Sequence, residues 1–139
     1  MINTSVSIEA VNKMNRNTLM EALGIIFTEI GSNYIKAIMP VDKRTHQPMG
    51  LLHGGASAAL IESIGSMGSA LCIDQKKNAI VGLEVNANHV RGVSSGNVYA
   101  HGQLVHEGKS THLWQVDIKN EVDKLVCSGR LTVMIINKQ

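Results

Sequence analysis

Hydrophobic and polar positions follow two periods along this chain, and the change between them predicts one long helix among strands. From His53 to Ile73, HGGASAALIESIGSMGSALCI, apolar residues recur at helical spacing. At about 100° per residue, Leu60, Ile64, Met67 and Leu71 gather on one side, with Gly55, Ala58, Ala59, Glu62, Gly65, Ser66 and Ser69 on the other. Upstream, Ile8, Val11 and Met14 predict a short helix behind a Ser7 cap, and Asn17 opens a turn ending at Gly24. Period two then takes over. Strands are expected over 23–30 and 34–41, broken by Gly31-Ser32-Asn33. After a polar turn at 74–78, a long half-buried strand is expected over 79–93, with Val81, Leu83, Val85 and Ala87 facing in. Further strands are expected over 97–106, over 111–120 around Trp114, Val116 and Ile118, and over 125–136. Short turns between them imply an antiparallel meander, hence an α+β design with one helix against a curved six-stranded sheet whose edges favour pairing between subunits.

Glu62 is the only charged side chain in the 53–73 run. It could be a structural carboxylate paired with an arginine, one exposed position on a core helix, or a carboxylate kept for chemistry. A solvated face would carry several charges at i, i+4 spacing, so the helix is expected to be buried on most sides. Interior glycine costs roughly 1 kcal/mol against alanine, and Gly65 and Gly68 therefore suggest close approach of another backbone or a ligand. The preceding His53-Gly54-Gly55 places free backbone N–H groups and the positive helix end where a carbonyl oxygen could be polarised.

Composition narrows the function classes. A chain of 139 residues is expected to form a single domain, 1–139, that folds without staples. Its net charge of +2 and 3% aromatic content provide neither a basic patch nor a stacking platform for nucleic acid. Cys72 and Cys127 lie far apart in apolar contexts and read as reduced core thiols. The six histidines show no metal-ligand spacing, so no metal is expected. With no apolar signal core at the N-terminus and a Glu inside its most apolar run, the chain is expected in the cytoplasm, away from membranes.

The segment Gln47-Pro48-Met49-Gly50-Leu51-Leu52-His53-Gly54-Gly55, with Glu62 and Ser66 downstream and VGLEVNANHVR from Val81 to Arg91, resembles the hotdog-fold acyl-CoA thioesterases. More narrowly, it resembles the PaaI-like branch that includes the 4-hydroxybenzoyl-CoA thioesterase of the Arthrobacter type and the 1,4-dihydroxy-2-naphthoyl-CoA thioesterases. The resemblance implies a central helix wrapped by the sheet, a homodimer or a dimer of dimers (a homotetramer), and active sites at the subunit interface. It assigns Glu62 as the catalytic carboxylate and Gly54 as the N–H that polarises the thioester carbonyl. Gln47 and His53 would orient the reacting groups, and Ser66 would supply a hydroxyl beside the water or acyl group. For coenzyme A, part of the substrate and not a cofactor, it points to Val81, Gly82, His89, Arg91, Lys109 and Ser110, drawn from more than one subunit, with Met67 tuning the acyl pocket. Aryl- or naphthoyl-CoA is the implied substrate, and Glu62 either attacks the carbonyl or activates a water. Two other classes remain: a hotdog-fold hydratase or dehydratase, and a non-catalytic acyl-CoA-binding module.

Overall fold

The computed structural model describes residues 1–139. Its elements are α1 (Ile8–Lys13), α2 (Leu19–Leu23), β1 (Ile26–Ile30), β2 (Tyr34–Pro40), α3 (Gly54–Cys72), β3 (Asn78–His89), β4 (Asn97–Glu107), β5 (Thr111–Lys119) and β6 (Leu125–Asn137). The expected α+β architecture is present: the 19-residue α3 lies against one face of a six-stranded antiparallel sheet. Strand β5 shows why the chain layers this way. Its alternate residues His112, Trp114, Val116 and Ile118 are buried beneath α3, and they join Phe27, Ile35, Met39, Leu60, Ile61, Ile64 and Leu131 in one core.

The order across the sheet is β1-β2-β4-β5-β6-β3, which corrects the simple meander. β1 and β2 form one sequential pair and β4, β5 and β6 one sequential run, but β3 falls outside both. The chain crosses from β2 through α3 to the far edge, so β3 pairs with β6 and its other side is open. The first strand also begins later than expected, at Ile26. Leu19–Leu23 forms α2, and Gly24 ends it in the left-handed region at φ 73°.

The alternation expected for β3 holds only in its second half. A bulge between Gly82 and Glu84 shifts its register against β6, so one phase holds before it and the other after it. Ile80 and Gly82 share a face with Ile135 and Val133. Beyond the bulge, Val85, Ala87 and His89 pair with Leu131, Gly129 and Cys127. Val81 and Leu83 are therefore not core residues, and Leu83 is 54% exposed. The strand is an open edge, more exposed than the half-buried strand expected.

The helix, too, departs from expectation. Gly65 and Gly68 give clearance to side chains of the protein itself. A Cβ at Gly65 would run into Leu131, and one at Gly68 into the Trp114 ring. Ser69 is buried, where it receives the Trp114 indole N–H at 2.9 Å and lies 3.0 Å from His112 Nδ1. Ala58, Ala59, Glu62, Ser63, Ser66 and Ala70 form one half-exposed face, while ten of the nineteen residues of α3 are buried and only Gly55 is exposed.

Candidate active site

Two concavities flank α3, one at its N-terminus and one at its middle. The loop before α3 builds the first. Arg44 pairs with Asp42 at 2.7 Å, Thr45 Oγ1 donates to the Pro40 carbonyl at 2.7 Å, and His53 N–H donates to the Thr45 carbonyl at 2.8 Å. These bonds present Gln47 and His53 at the start of the helix. His53 is the N-cap: its Nδ1 accepts the Gly55 N–H at 2.7 Å, and its carbonyl accepts from Ala56 and Ser57. Of the four N–H groups in the first turn, only that of Gly54 has no partner in the chain. Because Nδ1 is an acceptor, the neutral ring carries its proton on Nε2, which is left free to donate. The Gln47 side-chain oxygen accepts the Met49 N–H, leaving the Gln47 amide NH₂ available.

His89 closes this concavity from β3. A Cβ on Gly54 would come within 2.8 Å of His89 Nε2, so glycine is what allows the ring to sit over the helix end. Gln47, Gly54, His89 and Arg91 line a cavity of about 440 Å³ with Leu51 and Val126. Arg91 lies beyond the end of β3, where its Nε donates to the Leu125 carbonyl at 3.2 Å.

Glu62 lies elsewhere. Eight residues along an α-helix rise about 12 Å, so Gly54 and Glu62 of one chain cannot grip a single carbonyl group. The Glu62 carboxylate fills the place where a Cβ of Gly82 would stand, notched between α3 and β3. Gly82 thus makes room for the carboxylate, a use different from the nucleotide contact expected for it. Ser66 Oγ donates to Glu62 Oε1 at a long 3.3 Å, and none of the chain's ion pairs includes Glu62. Within this chain Glu62 has no arginine partner. Glu62, Ser66 and Met67 line a second cavity of about 370 Å³, together with Met14, Thr18, Leu19 and Met20 of the N-terminal flank. That flank was not among the expected site residues, and no motif marks it.

Val81 lies beside this second site at the open edge of β3, and the β4–β5 turn carrying Lys109 and Ser110 is close to it, since Thr111 and Val81 both pair with Met134. Within one chain, Lys109 and Ser110 are therefore grouped with Glu62, and Arg91 and His89 with Gly54. The two groups stand at opposite ends of β3, about 23 Å apart from Gly82 to His89.

The chain thus presents a half-buried carboxylate without a cation and a helix end with one free N–H. The fold that carries them is the hotdog fold. The sequence profile of the thioesterase superfamily matches residues 49–127. The 1,4-dihydroxy-2-naphthoyl-CoA hydrolase of Escherichia coli is 45% identical over 94% of this chain and 96% of its own length. A thioesterase of Pseudomonas aeruginosa, crystallised as a glutamine-to-alanine variant, superimposes with a TM-score of 0.96 at 43% identity, covering 99% of each chain. A thioesterase of Staphylococcus aureus has been solved with a glutamate replaced by alanine (TM-score 0.84, 41% identity, 86% of this chain and 99% of that one). It has also been solved with a glutamine so replaced (TM-score 0.82, 41% identity, 84% and 97%). The two substituted positions are 15 residues apart in that protein. This chain belongs to the thioesterase superfamily, in the PaaI-like branch, and is a hotdog-fold acyl-CoA thioester hydrolase. No helix in it is long and apolar enough to cross a membrane.

Proposed function

We propose that the protein hydrolyses aryl- or naphthoyl-CoA thioesters, with Glu62 as the reacting carboxylate and Gly54 as the donor to the thioester oxygen. The observation that carries this reading is Glu62 itself. Holding a carboxylate between two elements with one long hydrogen bond and no cation costs stability, and the sequence keeps a glycine at 82 to admit it. The naphthoyl-CoA hydrolase among the relatives supports the acyl class. The 15-residue spacing of the glutamine and glutamate altered in the Staphylococcus protein is also the spacing of Gln47 and Glu62.

The separation of Gly54 from Glu62 is resolved by a second copy of the chain. The open edge of β3 leaves Val81 and Leu83 exposed to solvent, and antiparallel two-fold pairing along it sets each end of β3 beside the partner's opposite end. Glu62 and Ser66 of one subunit then face Gly54, His53 and Gln47 of the other. The same operation joins Lys109 and Ser110 of one subunit with His89 and Arg91 of the other, a basic pair of ends suited to the phosphates of coenzyme A. A thioester has a good leaving group. The chemistry therefore needs an oriented oxygen nucleophile and a donor where negative charge develops on the carbonyl oxygen. Glu62 supplies the first, by attacking the carbon or by taking a proton from a water that Ser66 holds. Gly54 N–H supplies the second.

Thiol release from a panel of acyl-CoA esters tests the reading. Glu62→Ala is expected to lower kcat about 10³-fold for every ester while circular dichroism stays native. Near-normal turnover by that variant would overturn the assignment. Mixing inactive Glu62→Ala chains with inactive Gly54→Val chains is expected to restore activity, because a mixed dimer holds one intact site. Two variants that stay inactive after exchange of subunits would place both groups in the same chain.

A further inference from the structure

We infer that the N-terminal flank, α1 and α2, is the wall that selects the acyl group, and that it selects uncharged groups of aromatic or medium-chain bulk. The inference rests on Glu62 as the reacting carboxylate, and it adds the residues that bind the part of the substrate beyond the carbonyl. The cavity beside Glu62 measures about 370 Å³, within the range of small-molecule sites. On its far side stand Met14, Leu19 and Met20, facing Met67 of α3. Leu19, which opens the five-residue α2, is 64% exposed, and Met14, which caps the six-residue α1, is 50% exposed, an unusual use of large apolar side chains.

These side chains are held in place although their tips are free. Val11 anchors α1 in the core. The Asn12 side chain bonds both backbone groups of Phe27 at 2.9 Å, as a neighbouring strand would. Asn15 Nδ2 donates to the Ile25 carbonyl at 3.2 Å, and Ile25 N–H donates to the Met20 carbonyl at 2.9 Å. The flank is thus tied to β1 and its approach, and Met14 and Leu19 are left projecting over the groove. A wall fixed before the substrate arrives lowers the ordering cost of binding.

The chemistry of the lining defines the guest. Apart from Glu62 the groove presents no charged side chain, so an acyl group bearing its own carboxylate would find no cation and would meet the charge of Glu62. Three methionines offer a polarizable surface that suits the face or edge of an aromatic ring. At the rim, Gln75 donates its amide to the Ala70 carbonyl at 2.8 Å, which leaves its side-chain oxygen free to accept from a ring hydroxyl.

The test measures kcat and KM of the full-length protein on acetyl-, decanoyl-, 2-naphthoyl- and succinyl-CoA, with light scattering on each variant. Leu19→Ala is expected to lower the ratio of kcat/KM for naphthoyl over acetyl about tenfold, as removing several methylene-sized contacts from an acyl pocket does. Met14→Ala, at the C-cap of α1, is expected to lower the same ratio, and succinyl-CoA is expected to be the poorest of the larger esters. Equal loss on all esters would overturn the inference. So would no loss on any, or a change of oligomeric state accompanied by uniform loss, which would make the groove a contact between subunits. Failure here is separable from failure of the proposed function: an inactive Glu62→Ala beside an indifferent Leu19→Ala removes only the acyl wall.

Discussion

The two sides of α3 use small residues for opposite ends. Toward the sheet, Gly65, Gly68 and Ser69 lie under Leu131, Trp114 and His112, and each missing side chain is replaced by one from the sheet. Toward the flank, Glu62, Ser63, Ser66 and Ala70 border an open groove. A glycine in a helix thus marks close packing on one side, while small side chains on the other border an open cavity. Sequence pattern alone does not separate these cases, because both remove bulk from a helix that buries its remaining large residues.

Substitutions that exchange the properties of the two sides probe this contrast. The largest stability loss is expected from Trp114→Ala. It empties the centre of the core and deprives Ser69 of its donor, so thermal or urea unfolding should report a loss of about 3–5 kcal/mol. Next comes Gly68→Ala. Alanine is favoured over glycine in a helix by about 1 kcal/mol, but its Cβ would overlap a fully buried Trp114 ring that has no room to turn. Overpacking is expected to win, with a net loss of about 1–2 kcal/mol by the same measurement. A stabilised Gly68→Ala would show that the packed side has slack.

How much of this was legible before the structure follows from how local each feature is. The bounds of α3, the Ser7 cap and four of the six strands depend on residues near in sequence, and their periodicity declares them. The place of β3 does not. Its partner β6 lies more than thirty residues downstream, and the Gly82–Glu84 bulge inverts which of its residues face the helix, so Val81 and Leu83 passed for core. The site divides in the same manner. Glu62 stands out as a lone charge in an apolar run, whereas Met14 and Leu19 meet it only through the fold, from more than forty positions away. The one signal available for them was chemical: large apolar residues on or capping helices too short to bury them.

A third prediction concerns pH and the packed side. His112 is buried and hydrogen-bonded to Ser69, and burial holds its pKa below the ordinary 6.5, outweighing the opposing pull of Glu107. The N-terminal ammonium and His106 push in the same direction as burial. The unfolded chain therefore binds a proton more readily than the folded one. The stability that neutral His112 contributes is full above about pH 6.5 and declines as pH falls toward the lowered folded value. Melting temperature should drop between pH 7 and pH 5, and His112→Gln should flatten that slope. An equal slope in both proteins would assign the acid sensitivity to other groups.

The smallest stability effect and the sharpest functional one should coincide at Ser66, on the open side. Its hydroxyl makes one long contact, to Glu62 Oε1, and touches no core side chain by hydrogen bond. Ser66→Ala should therefore change the unfolding free energy by less than about 0.5 kcal/mol. If Ser66 positions the water that Glu62 activates, kcat should fall by about tenfold with KM nearly unchanged, because the lost contact matters only as the water is oriented for attack. If instead Glu62 attacks the carbon directly, Ser66 merely steadies the carboxylate, and Ser66→Ala should leave the first turnover fast while slowing the release of acid. Rapid-quench measurement of thiol and acid in a single turnover separates the two. Thiol appearing ahead of acid implies a covalent acyl-Glu62 intermediate, and simultaneous appearance implies attack by water.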